Sequence, residues 1–251
     1  MQKTNQDFVP ILRIALAVLF ILFAYIFSQL ISGLVVYTAL ALGAGGQSDT
    51  LDQLQNSTLS QFAFLGVAMA VELGLFYGLS RITKLNLGYL NPNKFSLSKS
   101  WIIPVALAIY MIASSALMGL LSGAIDTDQK QQIGFENVQG GLELAMVFGA
   151  LVVLAPLAEE ILFRGFLYTE FRRKANLVVS SLLVSAFFAG FHLQLGSGHP
   201  PLWSGFVDTF VLSLVLCYVR EKTGSIWYGV GIHSLKNFLA FLLIFVLHIN
   251  I

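Results

Sequence analysis

Charge is what this sequence has least of. Of its 251 residues only 11% are Asp, Glu, Lys or Arg, whereas 57% are hydrophobic, and the mean hydropathy is +0.79. That balance excludes an ordinary soluble domain, in which about 25% of residues carry charge. The 14 basic and 13 acidic side chains leave a formal net charge of +1. There is thus no basic field to hold nucleic acid and no acidic tail. Cysteine is nearly absent as well. The one present, Cys217, sits inside an apolar run, which excludes an intramolecular disulfide and a cysteine-rich metal site and argues against redox chemistry. No hydrophilic stretch is long enough to fold as a separate soluble domain, and neither a low-complexity tract nor a clear internal repeat is visible.

What is present is a series of long apolar runs. Residues 14–44 carry no charge, far more than the apolar region of a cleavable signal peptide, so this segment is expected to be a retained membrane helix. Crossing the hydrocarbon takes about 20 apolar residues, and a helix is required because lipid offers no partner to open backbone groups. On that basis spans are expected at about 14–43, 60–80, 101–123, 141–168, 176–195, 201–219 and 225–249. The fourth is longer than one bilayer. The fold class expected is all-α: a polytopic membrane bundle of about seven to eight helices forming a single integral membrane domain over 1–251. Residues 1–140 supply N-terminal spans, and 141–240 hold most of the intramembrane polar groups.

The loops test this count independently, because Lys and Arg concentrate on the cytoplasmic side. One set of loops carries Lys3 and Arg13; then Arg81, Lys84, Lys94 and Lys99; then Arg172, Arg173 and Lys174; then Arg220 and Lys222. The alternate loops "GAGGQSDTLDQLQNST" and "GSGHP" carry no basic residue, and "DTDQKQQIGFENVQGG" only Lys130. The expected topology places the N-terminus in the cytoplasm and the C-terminus outside the cell membrane, with Trp101 as an anchor at headgroup level.

Ionisable side chains inside a bilayer are costly, so each is a candidate for function or for a paired structural role. They are Glu72, Glu159, Glu160, Arg164, His192, Asp208, His233 and Lys236, with Asn237 beside the last. In a helix Glu160 and Arg164, four apart, share a face, whereas Glu159 is turned about 100° away. This geometry assigns Glu160 and Arg164 to an ion pair and leaves Glu159 as the reactive carboxylate. The alternative is that both glutamates mark the wet end of a membrane helix. His233 and Asn237 also lie four apart, and both can donate to a small ligand or to an oxygen gaining negative charge. A polar seam between helices is the blander reading. His192 follows Phe188 by one turn, with Ala189 and Gly190 between them allowing close helix approach. A carboxylate, two histidines and an amide together are the ingredients of water activation and oxyanion stabilisation.

The quoted residues also carry a resemblance. "EEILFR" (Glu159, Glu160, Arg164) fits an EExxxR motif, "FAGFH" (Phe188, His192) an FxxxH motif and "HSLKN" (His233, Asn237) an HxxxN motif. In this the chain resembles the CPBP family of intramembrane proteases, also called the Abi or CAAX-protease family, which includes the prenyl-protein-specific Ras-converting endopeptidase. The resemblance implies an endopeptidase in which Glu159 activates water, His192 helps hold that water, His233 and Asn237 form an oxyanion hole, and Glu160 and Arg164 orient the site. Its implied partners are membrane lipid and a peptide or protein substrate, membrane-bound or lipidated, and no nucleic acid.

No cofactor is expected. The alternative is a zinc metalloprotease in which Glu159, His192 and His233 are three ligands and a fourth position stays open for water. The lack of an HExxH pattern and the weakness of Asn as a zinc ligand argue against it. A non-catalytic immunity or transport protein is the remaining alternative. Transport would call for duplicated halves or helices broken in matching positions, and neither is visible.

Overall fold

The computed structural model of the chain describes residues 4–43, 56–127, 129, 131, 133–135, 138–195 and 200–249. The stretches 44–55 and 196–199, which carry part of the orientation argument, lie outside the described residues, as do Lys3 and Lys130.

Among the described residues every regular element is helical. Helix α1 covers Thr4–Gly43 and α2 covers Thr58–Thr83. Ser57 caps the start of α2, its side chain accepting from the Ser60 amide, and Lys84 ends it in the left-handed region at φ 52°. Three short 3-10 turns follow, Gly88–Leu90, Pro92–Lys94 and Leu97–Lys99, and lead into α3, Ile102–Leu121. Helix α4 covers Gly141–Arg172. Helix α5 is Leu177–Gly190, capped by Asn176 through the Val179 amide, and α6 is Trp203–Thr223, ended by Gly224 at φ 67°. Helix α7 runs from Trp227 through Phe241 and closes in a π-helical turn, Leu242–Val246.

Among the described residues six helical stretches are long and apolar enough to cross a membrane: Ile11–Leu42, Thr58–Thr83, Leu97–Leu121, Gly141–Arg172, Trp203–Thr223 and Trp227–Val246. The chain is a multi-pass membrane protein. The remaining expected span, 176–195, contains a helix of only 14 residues, which reaches about 21 Å against a hydrocarbon thickness of about 30 Å. It stops short because the backbone tightens after Phe188: the amides of Phe191 and His192 bond three residues back, to Phe188 and Ala189, as at a 3-10 helix end.

Helix α4 departs from the uniform helix that its apolar run predicts. It is π-helical at Gly149–Leu154 and again at Glu160–Leu167, with Ala155–Glu159 α-helical between them. Pro156 gives one physical reason. The Ala155 amide bonds the Ala150 carbonyl, five residues back. The next bond in that series would run from residue 156 to the Leu151 carbonyl, and proline has no N–H to make it.

The chain divides into two compact units, each assembled from separate segments. The first comprises Met1–Ala17, Asn86–Gln132 and Glu160–Leu235. Within it α6 packs on α3 and α5, and the π segment of α4 packs on α5, α6 and the Gly88–Leu90 turn. Its core joins Ala106, Leu107 and Tyr110 of α3 to Val211, Leu212, Leu216 and Val219 of α6 and to Tyr228 and Ile232 of α7. Lipid is as apolar as leucine, so close contact and buried polar side chains contribute more to holding such helices than burial itself. Ser180, Ser185 and Ser213, small and fully buried, allow such close contact. Half-buried Asp208 accepts from the Tyr110 hydroxyl at 2.6 Å and the Ser114 hydroxyl at 2.7 Å.

The loop before α3 is tied to the same unit. The Trp227 indole donates to the Leu90 carbonyl at 3.0 Å, and the Tyr228 hydroxyl accepts from the Ser96 amide at 2.9 Å. Tyr89 lies under the Arg220 guanidinium, 5.3 Å from its ring centre. Burial pushes the Tyr89 phenol above its ordinary range against the opposing charge of Arg220, so it stays neutral and packs as an aromatic.

The second unit comprises Val18–Leu85, Ile133–Glu159 and Lys236–Ile251. Helix α2 packs on the first half of α4. The core contains Phe135, Val147, Ala150, Val152 and Phe241, with Phe62, Phe238 and Phe245 against it. Serines join α1 to α2: Ser32 donates to the Phe64 carbonyl, and Ser28 donates to Glu72 at 2.8 Å. Glu72 is thus turned toward a neighbouring helix, as expected of an intramembrane acid.

Candidate active site

Five of the seven residues singled out by the motifs meet in the first unit. Glu160 and Arg164 are carried by the second π segment of α4, and both are fully buried. Arg164 Nη1 lies 3.0 Å from Glu160 Oε1. The guanidinium also stacks on Phe188 of α5, 4.3 Å from the ring centre, a contact worth about 2 kcal/mol when desolvated. Phe188 is held in turn by Phe163 at 4.9 Å between ring centres, and Phe163 is packed by Phe187 and Phe191.

Both motif histidines flank the same aromatic ring. His192 lies 4.8 Å from Phe188 and His233 lies 6.2 Å from it, centre to centre. His192 sits one turn past Phe188, at the tightened end of α5. Its Nδ1 is 3.1 Å from the Phe188 carbonyl oxygen. A carbonyl only accepts, so this contact places the proton on Nδ1 and makes Nε2 the lone-pair nitrogen. A histidine in that tautomer can accept a proton or a hydrogen bond from water.

His233 is buried, and its Nδ1 lies 3.4 Å from Glu160 Oε1, the oxygen that also faces Arg164. One carboxylate oxygen therefore lies against both the guanidinium and the imidazole ring. The opposite oxygen, Oε2, is pressed against the backbone of Gly229: a Cβ on that glycine would stand 2.7 Å from it.

The other two motif residues belong to the second unit. Asn237 of α7 donates through Nδ2 to the Leu151 carbonyl at 2.8 Å. This is the carbonyl that Pro156 leaves without its π-helical donor, so one Asn237 N–H has a structural task and the second N–H remains the one able to serve a ligand. Glu159 closes the α-helical turn between the two π segments. Among the described residues no group of three or more His, Cys, Asp and Glu side chains is arranged to hold a metal ion.

Two participants were not foreseen from the sequence. Gly229 and His233 are four apart in "YGVGIH", so they share a helix face, and that spacing was the available signal. The Leu151 carbonyl has no side-chain signature, and only the position of Pro156 five residues on points to it.

Residues 141–239 match the family described as type II CAAX prenyl endopeptidase Rce1-like. Among curated proteins, the uncharacterized protein YyaK of Bacillus subtilis (strain 168) is 32% identical over 98 residues, which cover 36% of this chain and 32% of that relative. The chain thus spans about a third of the length of the curated relative it matches. No solved structure matches. The matched region contains all three motifs and the whole Glu160, Arg164, Phe188, His192 and His233 cluster.

Proposed function

We propose that the chain is an intramembrane endopeptidase that hydrolyses a peptide bond with water activated by Glu159, without a metal. Two findings support this: the family match over 141–239, and the buried cluster in which Glu160 Oε1 faces both Arg164 and His233 while Phe188 packs against both histidines. The cluster carries the reading. Buried ionisable groups held this closely in a membrane helix are expensive to keep unless they act.

In the proposed reaction Glu159 takes a proton from water as the oxygen attacks the scissile carbonyl, and His192 accepts a hydrogen bond from that water through Nε2. Stabilising the oxyanion of the tetrahedral intermediate is the role proposed for the second N–H of Asn237 and for His233. Glu160, held by Arg164, orients His233. Protonated Glu159 then returns its proton to the leaving amine, which balances the step. The substrate class is a membrane-bound peptide, with lipidated C-terminal tails as the first to test. The distribution of basic residues among the loops supports an N-terminus inside and a C-terminus outside.

The deciding experiment is cleavage in proteoliposomes of a peptide panel with and without a prenylated C-terminal CAAX sequence, using wild type, Glu159→Gln and His192→Ala. Loss of cleavage in both variants is expected. Activity surviving both changes overturns the assignment. Elemental analysis with chelation separates the zinc alternative: one stoichiometric Zn²⁺, with activity lost in chelator and restored by zinc, would replace the metal-free mechanism.

A further inference from the structure

We propose that Gly229 is a positioning residue for the reaction: its bare backbone forms the notch that holds the Glu160 carboxylate against His233. This deepens the peptidase reading and rests on it. Glycine weakens a helix, because it carries the largest backbone entropy loss on ordering, so a buried glycine two residues into α7 calls for a local reason. The reason is geometric. A Cβ at residue 229 would lie 2.7 Å from Glu160 Oε2 and 3.5 Å from its Cδ, with Leu216 Cδ2 on another side at 3.7 Å. Leu216 is fully buried. The group that must move is therefore the carboxylate.

Glu160 cannot move without loss of its partners. Its Oε1 is 3.0 Å from Arg164 Nη1 and 3.4 Å from His233 Nδ1, and the side chain is fully buried. Rotating Oε2 away from a new methyl group carries Oε1 with it. The same helix face thus bears both the notch and the histidine, four residues apart, and the notch sets how the carboxylate meets the ring. Because the displaced atoms are the end of a flexible side chain, the fold should survive while the alignment does not.

Gly231 supplies the control on the same helix. A Cβ there would meet Ile103 Cδ1 at 2.7 Å, a side-chain tip outside the cluster that can swing aside. The experiment measures kcat and KM of wild type, Gly229→Ala, Gly231→Ala, Glu160→Asp and Gly229→Ala/Glu160→Asp, with the unfolding midpoint of each. Gly229→Ala is expected to lower kcat about a hundredfold, the scale of an ångström-sized misplacement, with KM nearly unchanged, and Gly231→Ala to stay near wild type. Shortening the acid by one methylene makes room for the methyl group, so the factor lost through Gly229→Ala should shrink at least tenfold in the Glu160→Asp background. A purely structural glycine would show no such dependence on the acid. Full activity in Gly229→Ala, or an equal loss in both backgrounds, overturns the proposal. Should Gly229→Ala fail to fold, recovery of folding by Glu160→Asp supports the notch, and failure of both variants overturns it. If wild type cleaves no peptide, the peptidase reading falls, and the notch is still judged by the same cycle read on unfolding midpoints.

Discussion

Removing the Arg164 guanidinium should expose how much of this fold depends on one charge. In Arg164→Met the Glu160 carboxylate stays fully buried and loses the partner at 3.0 Å. Losing one member of a buried pair costs about 3 to 5 kcal/mol, mainly because the other charge is left in low dielectric. The stacking on Phe188, worth about 2 kcal/mol when desolvated, is replaced by a thioether contact of comparable size, so the charge dominates. His233 Nδ1, 3.4 Å away, can offset part of the loss, which places the expected value near about 3 kcal/mol. Glu160→Gln should cost a similar amount by stranding the guanidinium. The double variant Glu160→Gln/Arg164→Met buries no net charge, and it should be more stable than the sum of the two losses by about 2 kcal/mol or more. The measurement is equilibrium unfolding in mixed micelles followed by tryptophan fluorescence. A cycle additive within about 0.5 kcal/mol, or an Arg164→Met loss below about 1 kcal/mol, would refute the account of the pair.

Other perturbations test the remaining contacts. Asn237→Ala leaves the Leu151 carbonyl without its 2.8 Å donor, and should cost about 1 to 3 kcal/mol. Adding Pro156→Ala supplies an N–H in the same register and should recover much of that loss; no recovery would sever the link between the two residues. Gly165→Ala would put a methyl group 2.5 Å from Tyr89 Cε2. Overpacking of this kind costs about 1 to 3 kcal/mol, and faster proteolysis of the 86–100 loop should report it, an effect that Tyr89→Leu should relieve. Ser28→Ala removes the 2.8 Å donor to Glu72 and should lower the unfolding midpoint, whereas in a Glu72→Leu background the same change should have little effect.

The parts of this molecule that were legible in the sequence are those written in composition and in short helical spacings. Apolar runs located, within a few residues of their ends, the six helices among the described residues that are long and apolar enough to cross a membrane. The four-residue spacing of Glu160 and Arg164 foretold a shared face, and the angular offset of Glu159 separated it from that pair before any partner was known. That inference survives the π-helical geometry of Glu160–Leu167 because four residues still return close to the same side when a turn widens to include slightly more than four. The short α5 was less legible. Its hydropathy continues past Gly190, and only the backbone turn at Phe191 and His192, with its bonds to Phe188 and Ala189, ends the helix.

What the sequence hid were contacts in which one partner is backbone or the absence of a side chain. Asn237 reads equally well as an oxyanion donor or as a polar seam until it is found donating to the Leu151 carbonyl, and Pro156 then explains why that carbonyl has no backbone donor five residues on. His233 reads as a donor until its Nδ1 is found against Glu160, which gives the ring a positioning partner on that side. Glu160 consequently faces two partners, Arg164 and His233, and the notch at Gly229 holds it against both. A substitution at Glu160 should therefore combine a loss of stability with a loss of rate. One at Glu159, which takes no part in that pair, should abolish the rate with a smaller effect on stability. If the two glutamates gave the same profile, their division into an orienting acid and a reacting one would have to be abandoned.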